Sequence, residues 1–206
     1  MRKIIIVAIC AFLITVLYFL LSPSTYKIKN SSPTGKNIIC FGDSLTYGTG
    51  ASKEMSYPSQ LSKMIGTSVI NLGIPGDTTA MALKRINDVF EKNPRIVILT
   101  LGGNDLKNSV SKEIAFNNLE SIINKIQERG ALVVIGGIEI PFFGKGYGSA
   151  YKILARKTGA VLVPNVYKGI LGRPGLMNDR IHPNNAGYKI MAEHFYKALK
   201  PYLKSK

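Results

Sequence analysis

The chain has 206 residues, 46% of them apolar, which suits a single domain with a substantial core and argues against disorder beyond the ends. Its formal charge is +15, but the basic residues are scattered and no arginine-rich run with interleaved aromatics occurs. A solvated basic surface is therefore expected, not a nucleic-acid-binding one, and two cysteines with two histidines exclude a disulfide framework or a His-rich metal site.

The chain opens with Arg2 and Lys3, followed by an apolar run from Ile4 to Leu21. As a helix this run would rise about 27 Å, close to the thickness of a bilayer's hydrocarbon. It reads as a transmembrane signal anchor over 1–21, with a signal peptide cut near Ser22–Ser24 as the alternative. The leading basic pair favours an N-terminus inside and a domain outside the cytoplasm, tethered to the membrane or secreted. Residues 22–36 are rich in Ser, Pro, Asn and Lys and read as a linker, with the folded domain spanning 37–206.

Within the domain, short β-branched runs end in glycine or proline. They are Ile38–Phe41, Val69–Leu72, Ile96–Leu101, Leu132–Ile135 and Val161–Val163. Nearly continuous apolar character predicts strands covered on both faces. Helical patterns lie between them, at Pro58–Met64, at Thr78–Phe90 capped by Asp77, at Glu113–Arg129, at Ser149–Thr158 and at Asn185–Leu199. This alternation predicts an α/β fold, a three-layer α/β/α sandwich around a flavodoxin-like parallel sheet of five strands in order 2-1-3-4-5. Ligands in such sheets bind beyond the carboxyl ends of the strands.

Four segments at or near those ends carry polar groups. Gly42-Asp43-Ser44-Leu45 places a hydroxyl and a backbone N–H at a strand-to-helix turn, although Asp-Ser alone is more often a helix cap. Gly73 ends the second strand, where a glycine permits close backbone approach. Gly102-Gly103-Asn104-Asp105 turns sharply and projects the Asn104 amide. Asp179 and His182 lie three apart before the last helix, so a carboxylate can hold one imidazole nitrogen and leave the other free as a base. Each piece alone has a bland reading as a turn or a cap. The other histidine, His194, sits at the edge of the apolar face of the last helix and reads as structural.

Taken in order, these four blocks resemble those of the SGNH (GDSL-type) serine ester hydrolases over roughly residues 37–200. The similarity is greatest to the bacterial thioesterase I, lysophospholipase L1 and arylesterase branch. The resemblance implies Ser44 as nucleophile, His182 as base and Asp179 as its orienting partner. It implies an oxyanion hole from the Ser44 and Gly73 N–H groups and the Asn104 side chain, with no metal or organic cofactor. Cleavage of acyl esters, thioesters or lysophospholipids is expected from a monomer. A sugar O-acetylesterase or an acyltransferase could use the same groups, and a non-catalytic tethered binding module is the alternative outside enzymes. Tyr47, Ile74, Pro75, Phe142, Phe143 and Tyr147 lie in or beside strand-end loops and are candidates to line an acyl groove. No phosphate-binding glycine motif follows the first strand, which argues against a nucleotide-binding domain on the same fold.

Overall fold

The computed structural model describes residues 26–141 and 144–203. The apolar run at 4–21 and the pair Phe142 and Phe143 lie outside the described residues. Among those described, no helix is long and apolar enough to cross a membrane.

Five strands form one parallel sheet: β1 (Asn37–Gly42), β2 (Val69–Gly73), β3 (Pro94–Thr100), β4 (Leu132–Gly136) and β5 (Val161–Val163). Their order is β2-β1-β3-β4-β5, the arrangement expected from the alternating pattern. The apolar side chains of the central strands have nowhere to go but the core. Ile39, Cys40 and Phe41 of β1, Ile96 to Leu99 of β3 and Leu132 to Val134 of β4 are fully buried. Burial on this scale stabilises by about 2 kcal/mol per large side chain. Register then fixes where chemistry can occur. Gly42 pairs with both Gly73 and Thr100, so the loops after β1, β2 and β3 leave the sheet side by side.

The helices are α1 (Ser44–Tyr47), α2 (Tyr57–Ile65), α3 (Thr79–Lys84), α4 (Asn87–Phe90), α5 (Gly103–Lys107), α6 (Lys112–Glu128), α7 (Tyr147–Thr158) and α8 (Asn185–Leu199). They pack in two groups, α2 with α8 and α6 with both α3 and α7. The rings of Tyr57 and Phe195 join the first group, with centroids 4.9 Å apart. Phe116 joins the second by edge contacts to Tyr147 and Tyr151. Helix α8 begins and ends as its sequence pattern predicts, with Asn184 capping the Ala186 and Gly187 amides.

Three expectations are corrected. The helix expected over Thr78–Phe90 is interrupted at Arg85 and Ile86, and Thr78 caps it in place of Asp77. Ile114 points to solvent although its spacing matches the apolar face of α6. The segment read as a linker is, from Tyr26 onward, tied to the domain. The Tyr26 hydroxyl donates to the Ala160 carbonyl, and the Asn30 amide donates to the Gln127 and Ala131 carbonyls. The backbone N–H groups of Lys29, Thr34 and Lys36 donate to Gly159, Gly130 and Asn93. The segment therefore crosses the amino-terminal ends of β5, β4 and β3, on the opposite edge from the strand-end loops.

Candidate active site

The nucleophile loop is held by its own first residues. Asp43 is buried, and its Oδ1 accepts from the Leu45 N–H at 3.0 Å, which closes the start of α1. Gly42 is needed because a Cβ there would come within 2.3 Å of the Thr100 carbonyl oxygen. Ser44 follows, and its backbone N–H donates to no group among the described residues. Its hydroxyl lies 3.0 Å from His182 Nε2. His182 Nδ1 lies 2.7 Å from Asp179 Oδ2. If Nδ1 carries the proton, Nε2 is left to accept from the Ser44 hydroxyl.

The turn bearing His182 is fixed by backbone contacts. Asp179 Oδ1 accepts from the Ile181 and His182 amides, both at 2.8 Å. The Asn178 N–H donates back to the His182 carbonyl, and Met177 bridges Pro183. The Tyr167 hydroxyl donates to the Ile181 carbonyl at 2.7 Å. Gly50 lets a neighbouring loop press against this turn, since a Cβ there would meet the Pro183 carbonyl oxygen at 2.8 Å. Desolvation works to raise the pKa of Asp179. The hydrogen bonds from the His182 ring and the two amides outweigh it and hold the carboxyl at about 2. Asp179 thus stays ionised opposite the imidazole through the neutral range.

Asn104 stands at the start of α5, and its Nδ2 donates to the Asp77 carbonyl at 2.9 Å. One amide hydrogen is used there, leaving the second. Asp77 itself is buried and pairs with Arg85, whose Nε reaches Asp77 Oδ2 at 2.6 Å. Arg85 also donates to the Gly42 and Leu72 carbonyls and lies over the Phe41 ring at 4.3 Å. One guanidinium thus ties the ends of β1 and β2 to the loop that anchors Asn104. Asp105, also buried, accepts from the Thr79 amide and hydroxyl at 2.9 and 2.6 Å and joins α5 to α3.

Gly73 does not offer its amide to this cluster. That N–H donates to the Asn71 side-chain oxygen at 2.9 Å, and Asn71 Nδ2 in turn donates to the Thr46 carbonyl. A Cβ on Gly73 would come within 2.1 Å of the Tyr47 nitrogen. The glycine is required for close packing of β2 against α1. Gly76, three residues on, has φ +87°, and its N–H donates to no group among the described residues. It immediately precedes Asp77, the residue that holds Asn104.

A cavity of about 370 Å³ opens beside Ser44, Asn104 and His182. Its apolar walls come from Leu45, Leu106, Ile138, Ile140, Tyr167 and Ile181, and Lys107 and Arg180 also line it. Of the residues proposed for the groove from sequence, Phe142 and Phe143 lie outside the described residues, and the other four do not line this cavity. Tyr47 is 58% exposed and lines a separate groove with Asn71 and Gly73. Ile74 and Pro75 are exposed and do not reach the cavity. Tyr147 is 4% exposed, packed among Phe116 and Tyr151 in the core. Arg85 and the true cavity walls carry no sequence signal of their own, since the wall residues are scattered over several loops and two short helices.

A parallel sheet in this order, with a hydroxyl after its first strand and an imidazole before its last helix, has the architecture of an SGNH-type hydrolase. The chain belongs to the GDSL-like lipase/acylhydrolase family, whose model matches residues 40–190. It is similar to the esterase TesA of Pseudomonas aeruginosa, at 31% identity over 183 residues covering 82% of this chain and 90% of that one. It is also similar to the thioesterase 1/protease 1/lysophospholipase L1 of Escherichia coli K12, at 29% identity over 80% of this chain and 83% of that one. The crystal structure of TesA superposes with a TM-score of 0.77, at 30% identity over 81% of this chain and 99% of that one. The chain is accordingly a carboxylic ester hydrolase.

Proposed function

We propose that the chain cleaves acyl esters through a covalent acyl-enzyme on Ser44, with His182 as base and Asp179 as the group that orients it. The observation that carries this reading is the continuous chain of contacts from the Ser44 hydroxyl through the imidazole to Asp179, at 3.0 and 2.7 Å. As the Ser44 oxygen attacks the ester carbonyl, His182 Nε2 takes its proton, and Asp179 stabilises the imidazolium that forms. The C–O bond to the alcohol then breaks, and the alcohol leaves with the proton from His182. Water, deprotonated by the same nitrogen, attacks the acyl-Ser44 carbonyl and releases the carboxylic acid.

The tetrahedral oxyanion is held by the Ser44 N–H and the second hydrogen of Asn104 Nδ2. The Gly76 N–H serves as third donor in place of the Gly73 N–H, which is committed to Asn71. The apolar cavity walls favour an acyl chain over a sugar ring as occupant. The apolar run at 4–21 would hold the domain at a membrane or carry it through one, so its esters would lie outside the cytoplasm.

Hydrolysis of p-nitrophenyl acetate, p-nitrophenyl octanoate and acetylated xylan, by the native chain and by Ser44→Ala, tests the reading. Octanoate cleavage that disappears in the variant is expected. Undiminished cleavage by Ser44→Ala would overturn it, and activity confined to acetylated xylan would transfer the assignment to sugar esters.

A further inference from the structure

The cavity beside Ser44 is apolar along its walls, yet two cationic side chains, Lys107 and Arg180, also line it. They come from different parts of the fold. Lys107 ends α5, the short helix that carries Asn104 at its start, and Arg180 sits between Asp179 and His182. Among the described residues, neither forms an ion pair.

Acidic groups nearby offset this charge only in part. Asp43 is the sole carboxyl among the lining residues, and it is buried beneath the loop with one oxygen on the Leu45 amide. Burial first, then the charges of Asp77 and Asp105, push its pKa up to about 7 despite that amide, so a good part of it is neutral near neutral pH. Asp179, beside Arg180 in sequence, has both oxygens engaged by the His182 ring and by two backbone amides. Both residues are exposed, and their charges add a positive potential to a cavity whose walls are otherwise largely apolar.

We infer that the enzyme prefers esters bearing an anionic group a few bonds from the scissile carbonyl, with Lys107 and Arg180 as the residues that recognise it. The inference rests on the ester-hydrolase reading of the same site. The anion could be a carboxylate on the acyl chain, as in a dicarboxylic half-ester, or a phosphate on the alcohol, as in an acylated glycerol phosphate. The chemistry they share is a negative charge within reach of an ammonium and a guanidinium.

The test is a ratio of kcat/KM values for matched pairs. One pair is p-nitrophenyl hemiglutarate against p-nitrophenyl butyrate, which places the charge on the acyl side. The other is 1-butyrylglycerol 3-phosphate against 1-butyrylglycerol, which places it on the alcohol side. At low ionic strength the native chain is expected to favour the anionic member of at least one pair by about tenfold, and the pair that responds identifies the side. That preference should shrink in 0.5 M salt, approach unity in the Lys107→Ala/Arg180→Ala double variant and invert in Arg180→Glu. Because the readout is a ratio, a general loss of rate in a variant does not obscure it. Cleavage of neutral esters with no anionic preference in either pair would overturn this inference and leave the hydrolase reading standing. A preference unchanged by the substitutions would also overturn it. No cleavage of any ester would remove the hydrolase reading and this inference together.

Discussion

The two halves of the site are built on opposite plans. The half that carries Ser44 and Asn104 rests on buried polar groups. Asp43, Asp77 and Asp105 are each no more than 3% exposed, and Arg85 binds two strand ends and a loop at once. The half that carries His182 rests on a surface turn. There the Asp179 side chain is 47% exposed and is held by a ring nitrogen and two amides of its own turn. In the first half, position is obtained at the risk of unfolding, since a buried charge stripped of its partner is costly. In the second, position is local, and changes there should reach chemistry before stability.

Substitutions sharpen that contrast. The largest effect is expected at the reacting atoms. Ser44→Ala or His182→Ala should lower kcat by about 10⁴-fold or more, with melting temperatures close to that of the native chain, measured by ester turnover and thermal unfolding. Loss of fold in His182→Ala would break the contrast.

Asn104→Ala should lower kcat by about 10²–10³-fold, as expected for one donor to a developing oxyanion, with KM little changed. A rise in KM at constant kcat would place Asn104 in ground-state binding instead.

Arg85→Ala should act on the fold. It leaves the Asp77 carboxylate buried without its cation, and a loss of about 3 kcal/mol is expected in denaturant unfolding. Activity at low temperature should fall as well, because the loop that holds Asn104 loses its tie to β1 and β2.

The smallest effect concerns pH. Asp43 is raised to about 7 in the fold by burial and by the neighbouring Asp77 and Asp105, against an unfolded value of about 3.9. Folding thus favours its protonated form. Its contribution to stability is fully present below about pH 4 and is lost as pH rises through about 7. Asp43→Asn keeps an acceptor for the Leu45 amide and should flatten that part of the stability profile in melts across this range. Asp179, held near 2, is lost only in strong acid. A fall in activity between pH 7 and 4 would then not report protonation of Asp179.

What could be read from sequence follows the reach of the interactions. Strand ends, the α8 boundaries and the Asp179–His182 pair are encoded within a few neighbouring residues, and the structure brings Ser44 and His182 to one place. The β2 loop was harder, because two glycines, Gly73 and Gly76, lie in it and only the fold decides which amide is taken. The Asn71 side chain, two residues before Gly73, captures that glycine's N–H. Asp77 looks like a cap for the helix after it, but Arg85, eight residues away, claims its carboxylate. Tyr147, amid glycines, resembles a loop aromatic, whereas α7 begins there and turns it into the core. The segment from Tyr26 to Lys36 looks like a linker because its partners are carbonyls about a hundred residues distant.

The central claim is that Ser44 is made reactive by His182 across the mouth of this cavity. Labelling with a fluorophosphonate, followed by intact mass and peptide mapping, tests it most directly. The account predicts one adduct per chain, on Ser44, forming at least a hundredfold more slowly in His182→Ala. An adduct on another residue, or labelling of Ser44 at an unchanged rate without the imidazole, would contradict it.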